Sequence, residues 1–277
     1  LIGIKLTSER TMKDYMWHLE SYILQDFGKF PMDELPVVVI MDFLDDIAQE
    51  KPVMANRLFS TLSVLCSWAK KEKRYQIKQN PFAGRDKPSG KEESKKRTLD
   101  FNPKHKKFSN KGEIRKFWKW LDTINPIHAF AFKMMLLTAQ RPSEVLGAEW
   151  DEIYEDEWIL PAEKTKNKKD VHRVPMVPAL ETLLDDLREI TGDSKYLFPA
   201  IQGSRLTGKH IKPQTLSHHV RDALKDEHVD YRGKEQPAGK LHGMEKFTPH
   251  DLRRTAATHI GDQGFSMSDV GMLLNHA

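Results

Sequence analysis

The sequence holds a single cysteine, Cys66, among 277 residues. No internal disulfide can form, which excludes the disulfide-stapled secreted scaffolds and fits a reducing cytoplasm. Cys66 stands in an apolar helical pattern and reads as a packed thiol rather than a nucleophile or ligand. No apolar run approaches the roughly 20 residues that cross a bilayer, and the start shows no signal-peptide pattern. The expectation is a soluble cytoplasmic protein with no membrane partner. Internal repeats are absent. Charge of one sign is scarce overall, with 44 Lys and Arg against 40 Asp and Glu and a net charge of +4. Cysteine and carboxylate clusters at metal-ligand spacing are also missing. His250 and His259 are nine residues apart on one helical pattern, more than two turns, so they do not form a metal site with His276. No metal and no cofactor are expected, and a metal-dependent nuclease lacks its carboxylates.

What charge there is lies unevenly. Ten Lys or Arg and four acids fall between Arg85 and Lys111, a local surplus of six that leaves the remainder at minus two. A cationic strip on a near-neutral body suits a polyanion such as DNA. A solvated basic linker is the competing reading of the same strip.

The patterning divides the chain into residues 1–84, an all-helical domain; 85–107, a basic linker; and 108–277, a second domain. In the first, Thr11, Tyr15, Leu19, Tyr22 and Ile23 recur at helical spacing, as do Val38, Ile40, Phe43, Leu44 and Ile47. A third helix runs from about Val53 to Lys71, and Asn80-Pro81 breaks the pattern. In the second domain Ser109 reads as an N-cap, and an apolar helix covers about Pro126 to Ala139. A short helix follows near Ser143 to Gly147. Trp158-Ile159-Leu160 and His172 to Met176 read as strands around a polar hairpin loop, Lys164 to Asp170. Helices resume at about 179–190 and 215–225. Thr248 caps another with Pro249 at its first position, and Ser268 reads as the cap of the last. The fold class is mainly α with a small antiparallel β-sheet.

Several residues suit phosphate chemistry. His250 and Arg253 are three apart near a helix N-terminus, where backbone N–H groups and the dipole favour an anion. An arginine fork binds two phosphate oxygens, and a histidine exchanges protons near neutral pH. Arg141 precedes Pro142, which biases it out of the helical region, and Glu144 is close enough to hold its guanidinium. Lys164 and Lys166 on a hairpin tip can reach a leaving oxygen. Each signal alone also has a plain structural reading: a local ion pair, a solvated turn, a packed histidine at 276.

Their order is more specific. Thr138-Ala139-Gln140-Arg141-Pro142-Ser143-Glu144, Pro161-Ala162-Glu163-Lys164-Thr165-Lys166, His172-Arg173-Val174-Pro175, His250-Asp251-Leu252-Arg253-Arg254 and Leu274-Asn275-His276 together resemble the tyrosine recombinases, in particular the phage and genomic-island integrases of the P4 type. The resemblance implies a helical core-binding domain followed by a tyrosine-recombinase catalytic domain. It implies that Arg141 and Arg253 clamp a scissile phosphate, that His250 begins the His-x-x-Arg motif, that His276 hydrogen-bonds a phosphate oxygen, and that Lys166 is the general acid, with Lys164 left open. It further implies double-stranded DNA attachment sites as partner, a homotetramer on that DNA, and host DNA-bending or excisionase proteins as accessories on the nucleoid of a bacterial host. The two domains would clamp a duplex, with Lys95, Lys96 and Arg97 of the linker touching its backbone.

One part departs from the pattern. The family nucleophile is a tyrosine roughly ten residues after the last histidine, and the six tyrosines here are at 15, 22, 75, 154, 196 and 231. The expectation is part of a longer protein that binds DNA but, as given, does not cleave it. A type IB topoisomerase shares the chemistry, and a DNA-binding regulator that lost the nucleophile shares the fold.

Overall fold

The structure is a computed structural model that describes residues 8–72, 77–89, 97–99, 112–165, 170–203, 205–230 and 232–275. It divides into two compact units between Lys95 and Lys96.

In the first unit Ser8 starts α1 (Glu9–His18) by accepting the Thr11 N–H. The rod continues through a π-helical turn, Leu19–Ile23, into α2 (Leu24–Phe27). Helices α3 (Val37–Glu50) and α4 (Pro52–Lys71) pack beside it, with Pro52 at the first position of α4, where its missing N–H is harmless. Their apolar stripes meet in a core of Ile40, Leu44, Leu58, Leu62, Cys66 and Phe82. Cys66 is fully buried, and burial pushes its thiol pKa up to about 11, so it is an inert packing group. Asn80 is more than a helix breaker. Its amide reaches the Ser63 carbonyl and the Ser67 hydroxyl on α4 at 3.0 and 2.8 Å, while its oxygen accepts the Phe82 N–H.

In the second unit α5 (Glu113–Leu121) and α6 (Pro126–Thr138) are followed by α7 (Pro142–Leu146). Strands β1 (Glu157–Leu160) and β2 (His172–Pro175) pair antiparallel, with Trp158 opposite Val174 and Leu160 opposite His172. Alternation sends Trp158, Leu160, His172 and Val174 inward. Then come α8 (Pro178–Thr191), a ribbon of β3 (Pro199–Gln202) and β4 (Arg205–His210), α9 (Pro213–Ala223), the small pair β5 (His228–Val229) and β6 (Glu235–Gln236), α10 (Pro249–Asp262) and α11 (Met267–Leu273). Aromatic contacts of Phe117 with Trp120, Phe132 and Phe247, at centroid spacings of 5.6–5.7 Å, centre the core.

The architecture is mainly helical with small antiparallel sheets, as the patterning predicts. Three details differ. The β3–β4 and β5–β6 ribbons escape sequence reading because β4 is largely exposed along its length and carries no apolar alternation. The last helix is capped by Ser266, not Ser268: the Ser266 hydroxyl accepts the Asp269 N–H and the Asp269 carboxylate accepts the Ser266 N–H. Helix α5 starts after Gly112, whose φ of 92° suits glycine; Ser109, the expected cap, lies outside the described residues.

Parts of the expected linker, 85–107, are described. The Ser89 N–H and carbonyl are both held by the Asn56 side chain. Arg97, expected to touch DNA, is turned inward within the second unit. Its guanidinium pairs with Glu113, donates to the Glu245 carbonyl and lies 5.8 Å from the Phe247 ring centre. Leu99 is buried, with its N–H on the Thr255 hydroxyl at 2.8 Å. Lys95 and Lys96 lie outside the described residues.

Arg97 joins Glu113, the Glu245 carbonyl and the Phe247 ring, and removing one partner of a buried ion pair is costly. Arg97→Ala should therefore lower stability in urea unfolding by about 3 kcal/mol; an unshifted midpoint would show that the pair carries no stability. A second expectation comes from His128 on α6, whose ring centre is 4.5 Å from that of His219 on α9. Burial, helped by His219, lowers the His128 pKa to about 4. The unfolded chain then binds the extra proton first, so stability is complete above about pH 6.5 and falls as the pH drops towards 4. His128→Leu should lose less melting temperature than the wild type between pH 7 and 4.5.

Candidate phosphate-binding active site

The site is built where α6 stops. Ala139 takes a left-handed conformation at φ 55°, costly for a residue with a Cβ, and caps α6. The turn aims its carbonyl at the Arg253 guanidinium, which donates to it at 2.9 Å. Arg141 follows in extended conformation, as its place before Pro142 predicts. One oxygen of Glu144 accepts the Arg141 backbone N–H at 2.9 Å and the other accepts its guanidinium at 2.7 Å. Glu144 is 2 % exposed in its side chain and Arg141 17 %, so the pair is braced from below while the arginine keeps an outward face.

Helix α10 brings the second arginine. Thr248 caps it, and the Asp251 carboxylate accepts both the backbone N–H and the hydroxyl of Thr248 at 2.8 Å. Asp251 also takes the Arg254 guanidinium at 2.7 Å. That leaves Arg253 on the buried face, 4 % exposed, donating to the Ala139 and Leu274 carbonyls. Burial pulls its pKa down to about 10, and the positive charge of Arg141 pulls the same way against Glu144. It remains charged at neutral pH. His250, one turn earlier at the helix start, is partly open to solvent and feels Arg254, Arg253 and Arg141. Partial burial first, and then these cations, hold its pKa below the usual imidazole range.

Arg141, His250 and Arg253 therefore share one electrostatic neighbourhood. The arrangement is two guanidiniums and a neutral imidazole beside a helix N-terminus, suited to an anion with several oxygens. Lys166 and His276 lie outside the described residues.

Lys164 does not stand on a hairpin tip. It closes a 3₁₀ turn, Ala162–Lys164, and its ammonium binds Glu149 at 3.0 Å, Glu152, and the Gly147 carbonyl at 3.0 Å. Burial works against its charge, but the two carboxylates outweigh that and raise its pKa. A proton held so firmly is poorly placed to be given to a leaving group. Lys164 is a brace at the base of the β1–β2 turn.

Sequence reasoning missed two side chains here. Gln140 is fully buried, its amide bonded to the Thr138 and Leu273 carbonyls at 2.9 and 2.8 Å. His172 is buried on β2 with Nε2 3.1 Å from the Leu273 carbonyl. The alternation of His172-Arg173-Val174-Pro175 carried that signal, since it puts His172 on the same face as Val174. Among the described residues no group of three or more His, Cys, Asp or Glu could hold a metal ion, and no helix is long and apolar enough to cross a membrane.

The chain is 31 % identical over 149 residues to Prophage integrase IntA of Escherichia coli K12, covering 52 % of this chain and 30 % of that protein. It is 29 % identical over 154 residues to the integrase of Enterobacteria phage P4, covering 50 % and 30 %. Against tyrosine recombinase XerC of Corynebacterium glutamicum the figures are 29 % identity, 52 % and 41 %. The matched stretches thus span less than half the length of these relatives. A crystal structure of a lambda integrase(75-356) dimer bound to a COC' core site superposes with a TM-score of 0.70 at 18 % identity, over 99 % of this chain and 90 % of that one. A lambda integrase tetramer bound to a Holliday junction superposes at 0.72 and 17 %, over 100 % and 74 %. Those likenesses show the fold. The Phage integrase central domain matches residues 4–84, and the Phage integrase family proper matches residues 108–277, well over half of the chain. The chain belongs to the phage integrase family.

Proposed function

We propose that this chain carries the core-binding domain (1–84) and the catalytic domain (108–277) of a site-specific DNA recombinase, an integrase that cuts and rejoins DNA through a 3′-phosphotyrosine intermediate. The convergence of Arg141, His250 and Arg253 carries this reading. Family membership supports it, as do relatives described as integrases and recombinases. The partner is double-stranded DNA at attachment sites. A homotetramer is the working assembly in this reading, supported by the lambda integrase tetramer that shares the fold.

Each residue has a part in the proposed chemistry. A tyrosine oxygen attacks a backbone phosphorus, the bond to the 5′ oxygen breaks, and the 5′-hydroxyl of a partner duplex later reverses the step. Bond energy is conserved and no nucleotide is consumed. Charge on the non-bridging oxygens is opposed by Arg253 and by Arg141, whose direction Glu144 sets before substrate arrives. His250 is neutral at pH 7 and can accept or return a proton at that phosphate. Lys166 gives the proton to the 5′ oxygen, and His276 bonds a phosphate oxygen; these two roles rest on the sequence motifs. The attacking tyrosine is not assigned to a residue of this chain, so the decisive test uses the full-length protein. Division into a covalent intermediate makes both halves of the exchange reversible.

A suicide DNA substrate should trap a covalent adduct on the full-length protein. Arg141→Ala should lower its rate of formation about 10²- to 10³-fold, with duplex binding retained. Specific binding with no wild-type adduct would instead identify a regulator, and relaxation of a single supercoiled circle a topoisomerase. The histidine offers an independent check. An anion between the arginines offsets the positive field that lowers the His250 pKa, so the His250 ring, followed by NMR, should titrate below 6.5 in the free chain and shift upward with vanadate. No shift would place the anion elsewhere.

A further inference from the structure

The last helix ends on a pair of carbonyls that three side chains seize. The Gln140 amide and the His172 ring nitrogen Nε2 both meet the Leu273 carbonyl, at 2.8 and 3.1 Å. The next carbonyl, that of Leu274, accepts the Arg253 guanidinium at 2.6 Å. The final carbonyls of a helix have no partner within it and form the negative end of its dipole, so donors and cations suit them. Here the donors come from three separate elements: the turn after α6, strand β2 and helix α10. The chain then leaves α11 through Asn275 in the left-handed region, at φ 49°. Asparagine tolerates that conformation better than most residues.

Histidine is an odd choice on the inward face of β2. Its neighbours there are Trp158, Leu160 and Val174, and a branched apolar side chain would pack without any polar group to satisfy. A carbonyl only accepts, so Nε2 must carry a proton to make this bond. Burial above all holds the His172 pKa below its ordinary value. The nearby Glu144 carboxylate and the Leu273 carbonyl oppose that, while Arg253 and Arg141 reinforce it. The ring is therefore a neutral donor at pH 7.

We propose that His172 is a positioning residue: with Gln140 it pins the carbonyl end of α11 and so fixes the direction in which the chain leaves through Asn275. The consequence for catalysis rests on the function proposed above, in which the next residue, His276, contacts the scissile phosphate. The pin itself does not depend on that reading. Arg253 grips the next carbonyl of the same helix end, so this arginine and the exit of α11 are held in one register.

The test compares His172→Gln, which keeps an amide donor, with His172→Leu, which keeps bulk alone, both in the full-length protein. Gln140→Met, which removes the other donor to the same carbonyl, is a second arm should His172→Leu fail to fold. Two readouts are taken, amide hydrogen exchange over residues 270–275 and the rate of adduct formation on a suicide substrate. His172→Leu and Gln140→Met should speed exchange at the end of α11. They should slow adduct formation by up to about 10²-fold, the scale of loss that an ångström of misplacement can cause, while duplex affinity holds. His172→Gln should restore most of both. Wild-type exchange and cleavage in His172→Leu would overturn the proposal, as would equal damage in the Leu and Gln variants. A wild-type protein that never forms the adduct would sink the recombinase reading, yet exchange at residues 270–275 would still decide whether His172 is the pin.

Discussion

Arg253 is the constraint around which the second unit is organised. A guanidinium that is 4 % exposed has given up most of its hydration, an effective cost of several kcal/mol. Two backbone carbonyls, of Ala139 and Leu274, meet its N–H groups in return. Each lies at the end of a helix, α6 and α11, where carbonyls lack partners anyway. One buried cation therefore joins three helices. It also sits within the field of Arg141, which with burial pulls its pKa down to about 10. Arg141, braced by Glu144, keeps an outward face beside it, so an anion arriving there meets a donor already oriented.

The surrounding backbone carries strain that fits this arrangement. Ala139 is fully buried and left-handed, a conformation that costs an L-residue roughly 1–2 kcal/mol. It turns the chain from α6 into the Arg141 corner and points the Ala139 carbonyl at Arg253. Glu144 then fixes Arg141 by backbone and side chain at once, so the arginine's direction is set by a carboxylate rather than by its own flexible stem.

Charged side chains show how much depends on who is within reach. Lys164, Lys166 and Arg97 look alike in the sequence as basic residues in polar stretches. Lys164 is bound by Glu149 and Glu152, brought to it by the 3₁₀ turn Trp150–Glu152, and its charge is consumed in bracing. Arg97 meets Glu113 and Glu245, 16 and 148 residues away, and becomes a core ion pair. Neither partner is visible from composition or spacing, because both pairings are long-range.

The sequence by itself determined the local features. Helix starts at Pro52, Pro126 and Pro249, the extended Arg141 before Pro142, and the alternation of β1 and β2 follow from proline geometry, capping and hydrophobic period, which act within a few residues. The order of the arginine and histidine motifs likewise points to one phosphate site. Only the tertiary structure decided which donors meet which carbonyls. It brought β2, the turn after α6 and helix α10 onto the end of α11, turned Arg97 inward and gave His172 its partner. Those outcomes depend on contacts between residues up to 148 apart, and a buried polar group takes its role from whatever the fold places against it.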